Sequence, residues 1–228
     1  MLIPDGGDVQ GRPVFCSWSG GKDSAFALYT ILLRGGQPGP LITMLTEAGE
    51  RSRSHGLRRS VLEAQASAIG VPILFRATTW ADYEESFIDA LNEVVGMGVL
   101  DGVFGDMDFD GNRAWEERVC GAAQARAHLP LWHAERSAYM ARLLELKFHA
   151  TIIAIKEGTL SPNLLGHEID TRLADQLTSS GIDVAGEAGE YHSVVTSCPM
   201  FSQGIDLVAG EIILREGVWF IDMNLATD

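Results

Sequence analysis

From Pro13 onward, short apolar runs alternate with amphipathic stretches, and only a few residues join one to the next. The strand-like runs are Val14–Ser17, Leu41–Leu45, Val71–Phe75 and Gly102–Phe104. The helix-like stretches are Asp23–Arg34, Leu57–Ile69, Tyr83–Val95 and Asn112–Ala127. In the first of these Ala25, Leu28, Ile31 and Leu32 share a face, and Gly35-Gly36 ends it. Repeated β-α order with short links predicts an α/β fold: a parallel sheet with helices on both faces. In such sheets ligands bind beyond the carboxyl ends of the strands. A boundary is expected near His128-Leu129-Pro130, dividing the chain into residues 1–128 and a smaller α+β part, 129–228. That second part reads as a helix at Ser137–Leu146, a strand at Thr151–Ile155 and a helix at Asp170–Leu177. A Gly-rich stretch, Gly181–Gly189, follows, and then a hairpin, Leu207–Leu214 and Val218–Met223, turning at Glu216-Gly217.

The segment after the first strand carries the clearest chemistry. Ser17-Trp18-Ser19-Gly20-Gly21-Lys22-Asp23-Ser24 joins a strand to a helix N-terminus, where unpaired N–H groups carry partial positive charge. Glycines let backbone wrap an anion, serine hydroxyls add donors, and Lys22 adds a full charge. The segment predicts a phosphate cradle, against the plainer reading of a capped strand–helix turn. It is not a Walker A loop, which would need Gly at 16 and Ser or Thr at 23 where the chain has Cys16 and Asp23. An aspartate beside phosphates is costly unless a cation bridges them, so Mg²⁺ is expected.

Further residues fall at the ends of strands. Met44-Leu45-Thr46-Glu47 closes the second, with Ser54-His55-Gly56 shortly after, and Gly105-Asp106-Met107-Asp108 follows the fourth. Arg113 and Glu116-Glu117-Arg118-Val119-Cys120 lie in the next helix, and Gly186-Glu187-Ala188-Gly189-Glu190-Tyr191-His192-Ser193 and Cys198-Pro199-Met200-Phe201 come late. The loop resembles the S-G-G-x-D-S signature of PP-loop ATP pyrophosphatases. The ordered set, from about Val14 to about Phe201, resembles the diphthine–ammonia ligase branch of that class, with the late G-E-x-G-E-[YF] element at Gly186–Tyr191. The chain departs from it at Ala188, often a third Gly, and at Ser54, often Tyr. Ala188 is compatible with the element only if its φ is negative.

The resemblance implies a nucleotide-binding Rossmann-like domain, a smaller substrate domain, and cleavage of ATP between its α and β phosphates. A substrate carboxylate is adenylated and ammonia then displaces AMP. It assigns Ser17, Ser19, Gly20, Gly21, Lys22, Ser24, Met44, His55 and Gly105 to the nucleotide, and Asp23 to Mg²⁺. Lys22, Asp23, Asp106, Glu187 and Glu190 are the catalytic candidates. Arg113, Gly186, Glu187, Gly189, Glu190, Tyr191 and His192 are assigned to the substrate. The acceptor it implies is diphthine on elongation factor 2 in an archaeal or eukaryotic host, and an unknown carboxylate otherwise.

Each residue also has a plainer reading. Asp108 reads equally as a solvated helix-opening turn, and Arg113 nearly as well as a helix-surface ion pair. Trp132 and Tyr191 are candidates for an aromatic cage around a quaternary ammonium, with packing favoured for Trp132. Met44, Phe104 and Phe148 read as core, and Cys16 as buried strand packing.

Composition narrows the alternatives. Asp plus Glu number 31 against 17 Lys plus Arg, a net charge of −14, and such a balance repels phosphate backbones, so no DNA partner is expected. A PP-loop tRNA-modifying enzyme is disfavoured on the same ground, and because Cys16, Cys120 and Cys198 form no C-x-x-C. A non-catalytic adenine-nucleotide sensor remains a third reading. No apolar run nears the ~20 residues that span a bilayer, and Met1–Pro13 shows no signal-peptide pattern. A cytoplasmic setting is expected. The oligomeric state is open, with a homodimer among the arrangements allowed.

Overall fold

Val14, Phe15 and Cys16 are wholly buried and form the middle strand of a parallel sheet. The computed structural model describes residues 9–226. Five strands, β1 (Pro13–Ser17), β2 (Gln37–Leu45), β3 (Ile73–Ala77), β4 (Asp101–Val103) and β5 (Arg126–His128), lie in the order β3-β2-β1-β4-β5. All neighbouring pairs are parallel. Helices α1 (Lys22–Leu33), α2 (Arg59–Ile69), α3 (Tyr83–Gly96) and α4 (Asp110–Ala122) fall between successive strands in the chain. The order reverses between β1 and β4, which makes their carboxyl ends the switch point where ligands bind in such sheets.

The described residues form two compact units, and neither is one continuous stretch. The first comprises the residues up to Ser19, Asp23–Ser54 and Gly70–His133; the second comprises Gly20–Lys22, His55–Ile69 and the residues from Ala134 on. Phe15, Ile42, Met44, Phe87, Phe104 and Trp132 belong to one apolar cluster in the first unit. Met44, Phe104 and Trp132 therefore pack as core. At the start of β4 the carboxylate of Asp101 is buried. It accepts hydrogen bonds from Arg126 at 2.8 and 2.7 Å and meets the ring of His128 at 2.7 Å. Burial pushes its pKa up, but those partners outweigh burial and hold it below the usual aspartate value.

In the second unit α5 (Arg136–Glu145), β6 (His149–Lys156), α6 (Thr171–Ser179), β7 (Tyr191–Ser197), β8 (Leu207–Arg215) and β9 (Val218–Leu225) follow in order. Its antiparallel sheet runs β7-β6-β9-β8. Asp170 caps α6, accepting from the Leu173 amide at 2.7 Å. Helix α2 packs on β9, and beside it Arg58 donates to Asp222.

Two elements differ from the sequence expectation. The helix expected over Asn112–Ala127 stops at Ala122. Gln124 takes a left-handed conformation, φ 60°, and the Ala125 amide returns to the Cys120 carbonyl at 2.8 Å. That is a glycine-type helix stop made without glycine, and it frees Arg126–His128 to pair with β4. Tyr191–Ser197, read only as a polar motif, is a strand against β6. Phe148 and all three cysteines are buried. Burial raises the Cys16 thiol pKa and pushes Cys120 and Cys198 to about 12 and about 11, so these thiols stay protonated. Among the described residues no helix is long and apolar enough to cross a membrane.

Candidate active site

In the first unit, β1 delivers Ser17–Ser19 to the switch point. The Trp18 amide donates to the Ile42 carbonyl at 2.8 Å, and Thr43 Oγ1 donates to the Trp18 carbonyl at 2.6 Å, so pairing with β2 continues past the end of β1. Ser17, Trp18, Ser19, Thr43, Met44 and Tyr83 line a recess there. The Ser19 and Ser24 hydroxyls lie 3.0 Å apart across the opening of α1. Gly105, just beyond β4, closes on the same helix start: a β-carbon there would stand 2.8 Å from the Ser24 amide nitrogen. Only glycine allows that approach, and it leaves the N-terminal amides of α1 beside the strand end. Asp23, half-buried, lies in the first turn of α1.

The middle of the loop belongs to the second unit. Gly20 has φ 80°, and a β-carbon there would lie 2.7 Å from Leu57 Cδ1 and 2.9 Å from Leu62 Cδ2. Its carbonyl accepts from the Val195 amide at 2.9 Å and from Gln65 Nε2 at 2.9 Å. The same Gln65 nitrogen donates to the Val195 carbonyl at 2.8 Å, so one amide ties the loop, α2 and β7 together. Lys22 is buried, at 2% exposure. Its amide donates to Ser193 Oγ at 3.3 Å. Its ammonium donates to the Ala185 carbonyl and lies 5.1 Å from the centre of the Tyr191 ring.

His55 Nε2 lies against Gly21, 2.8 Å from where a β-carbon would stand, and its ring centre is 4.5 Å from that of His192. Loss of solvent lowers the His55 pKa well below the ordinary histidine value, and His192 and Lys22 push it the same way. It is therefore a neutral ring at pH 7.

Gly186–His192 enters β7. Gly186 and Gly189 take left-handed φ of 72° and 84°, whereas Ala188 does not, which meets the condition set by its departure from the family pattern. Glu187 is half-buried, and Glu190 is buried with no hydrogen-bond partner for its Oε2 among the described residues. An unpaired buried carboxylate oxygen is rare and costly. The Tyr191 hydroxyl donates to the Val184 carbonyl at 2.7 Å, so its ring and hydroxyl are both engaged inside this unit. Gly189, Tyr191, His192, Lys156 and Glu157 line an open cleft of about 360 Å³.

In the first unit, Asp106 accepts from Asn112 Nδ2 at 2.5 Å. Arg113 pairs with Glu117 at 2.7 Å and places its guanidinium 5.1 Å from the Trp132 ring centre. Asp108 is exposed.

Sequence reasoning gave no role to several residues that shape these surroundings. Gln65 left one signal in the sequence, a lone amide between Ala64 and Ala66 on an otherwise apolar helix face. Glu116 is 3% exposed. Burial first, then Asp106, pushes its pKa up to about 11, so it is protonated at neutral pH; one of its oxygens lacks a partner among the described residues. Ser193 was seen only as the end of the late Gly-rich element, and nothing in the sequence singled out the Ala185 carbonyl; both are partners of Lys22.

Known proteins fall on the same span. The family model described as Diphthamide synthase N-terminal domain matches residues 13–126, and that described as Diphthamide synthase C-terminal domain matches residues 135–227. Diphthine–ammonia ligase of Danio rerio is 26% identical over 228 residues, covering 86% of this chain and 87% of that protein. The Mus musculus protein of the same name is 22% identical over 222 residues, covering 86% and 83%. The Homo sapiens one is 23% identical over 223 residues, with the same coverage. A crystal structure described as a predicted subunit of tRNA methyltransferase from Methanocaldococcus jannaschii aligns with a TM-score of 0.45 at 15% identity, covering 82% of this chain and 98% of that one. With both halves of one family pattern falling in order along nearly the whole sequence, this chain belongs to the diphthamide synthase family.

Proposed function

We propose that this chain is an ATP-dependent ligase that adenylates a substrate carboxylate, releases pyrophosphate, and amidates the acyl group with ammonia. The observation that carries the reading is Lys22, a buried lysine held inside a glycine loop at the start of a helix. A buried ammonium at a helix start, where the helix dipole is positive, is suited to charge that develops on phosphate oxygens. The curated relatives named diphthine–ammonia ligase supply the reaction class.

Ser17, Ser19, Gly20, Gly21, Ser24, Met44, His55 and Gly105 would hold the nucleotide. His55, kept neutral, offers a ring and not a second positive charge beside Lys22. The carboxylate oxygen attacks the α phosphorus and the α–β bridge breaks. Ammonia then adds to the acyl carbon, AMP leaves and the nitrogen sheds a proton. Among the described residues no three His, Cys, Asp or Glu side chains gather as a metal site. Mg²⁺ takes one or two protein carboxylates and fills the rest of its shell with phosphate oxygens and water. Asp23 would be its protein ligand, and the ion would offset phosphate charge.

Glu187 and Glu190 would bind a cation: ammonium, Mg²⁺ or the quaternary ammonium of diphthine; the unpaired oxygen of Glu190 supports this. Asp106 would act beside the nucleotide, and Arg113, Gly186, Gly189, Tyr191 and His192 would serve the acceptor. On this reading nucleotide recognition falls mainly to residues 1–128 and acceptor recognition to 129–228, in the cytoplasm. The acceptor is diphthine on elongation factor 2 where the host makes it, and another carboxylate elsewhere.

The test follows α-labelled ATP with Mg²⁺, ammonium and fractionated cell extract, for wild type and Asp23→Ala. AMP and pyrophosphate from wild type alone are expected. ADP and phosphate would sink the mechanism. ATP binding without turnover in any fraction would favour a nucleotide sensor, and tight, salt-sensitive tRNA binding would favour a tRNA-modifying enzyme.

A further inference from the structure

Strand β8 ends the order β7-β6-β9-β8, so one of its backbone edges has no neighbouring strand among the described residues. Eight of its nine residues are exposed. Val208, Ile212, Ile213 and Leu214 are 54%, 50%, 50% and 45% exposed. Consecutive strand residues point to opposite faces, so Ile212 and Leu214 expose one apolar face and Ile213 the other. Lone edge strands are normally blunted by proline, by charge or by a bulge. A register shift lies between Ala209 and Ile212, but the ladder with β9 is regular from Ile212 to Arg215, and Ile212-Ile213-Leu214 carries neither proline nor charge.

We propose that β8 is a homodimer interface, in which the β8 strands of two copies pair antiparallel about a two-fold axis at Ile213. The charges select that register. With Ile213 opposite its own copy, Ile212 faces Leu214 of the second copy, and Glu211 faces Arg215 of the second copy, twice by symmetry. Centring on Glu211 would set two glutamates face to face, which is unfavourable across a strand pair. Within the chain Arg215 pairs with Glu216 at 3.7 Å, both side chains being mostly exposed. Such a pair contributes little and is readily exchanged. A two-fold pairing is self-limiting: it uses up the free edge of each copy and leaves none for a third. The contact is short for a dimer, so its dissociation constant is expected on the order of micromolar.

Sedimentation velocity of the full chain from about 1 to 100 µM tests this. Wild type is expected to shift from monomer to dimer. Ile213→Lys, which sets two ammonium groups face to face on the axis, is expected to weaken the dimer about tenfold or more. Glu211→Arg and Arg215→Glu should each weaken it, and the doubly swapped chain should recover wild-type association. All these side chains are exposed, so circular dichroism should show every variant folded. A wild type that stays monomeric overturns the proposal, as does a dimer indifferent to Ile213→Lys. A double swap no better than either single change overturns the register.

Discussion

Replacing Gln65 by leucine removes one side-chain nitrogen that serves two carbonyl oxygens, Gly20 at 2.9 Å and Val195 at 2.8 Å. Gln65 is wholly buried, so water does not take over. Gly20 keeps its bond from the Val195 amide and loses about 1 kcal/mol of net hydrogen bonding. The Val195 carbonyl loses its side-chain donor in a dry setting, about 1–3 kcal/mol. The sum is about 2–4 kcal/mol, and for a chain of 228 residues that lowers Tm by roughly 5–15 °C. Scanning calorimetry measures the shift, and titration calorimetry with ATP reports whether the loosened loop loses nucleotide affinity, as the proposed function requires. Gln65→Glu keeps the shape but turns a donor towards acceptors only when protonated. It should melt lower than wild type at pH 8 and recover as pH falls through the carboxyl range. A Gln65→Leu melt within about 2 °C of wild type would refute the claim that this amide pins the loop.

Gly105→Ala sets a β-carbon 2.8 Å from the Ser24 nitrogen; the helix start must shift, with a loss of about 1–3 kcal/mol and weaker ATP binding in the same titration. Lys22→Ala should leave the far-ultraviolet circular dichroism unchanged while lowering kcat about 100-fold or more; a retained kcat would remove Lys22 from the chemistry. Glu116 holds its proton up to about pH 11 in the fold but releases it near the ordinary glutamate value when unfolded. Folding therefore takes up a proton, and stability falls as pH rises above the ordinary value towards about 11. Glu116→Gln removes that slope, so Tm from pH 5 to 9 should flatten relative to wild type. Asp101 has the opposite sign: its lowered pKa contributes stability above the usual aspartate value, lost as pH falls through the depressed one. Asp101→Asn leaves arginines that water can reach, so it should cost about 1–3 kcal/mol at pH 7 and blunt acid unfolding, both read from urea melts.

The parallel sheet was legible because each strand before β5 is an apolar run closed by turn residues, and the loop because its residue types agree on one chemistry. Strand β5 was hidden by Gly121-Ala122-Ala123-Gln124-Ala125, which continues a helical pattern with no glycine where the chain turns. Strand β7 was hidden by its polar start, Tyr191-His192-Ser193, residues that draw attention as chemistry before they register as a ladder. Helix α2 read as an ordinary crossover helix; that it packs on β9 depends on contacts far apart in sequence, which periodicity does not encode. For the same reason the candidate residues could be named, but the carbonyl that receives the Lys22 ammonium could not.

The second unit takes in three residues of the loop itself, Gly20–Lys22. Beside Gln65 and His55, four of their supports, Ala185, Tyr191, Ser193 and Val195, lie beyond residue 180. A gene cut after residue 133 would thus encode the signature intact yet strip it of every one of those supports. Residues 1–133 of this chain are therefore not expected to keep the loop's geometry on their own. The backbone of Gly20–Lys22 thus takes its observed form only when residues up to Val195 are present, far along the sequence from the signature itself.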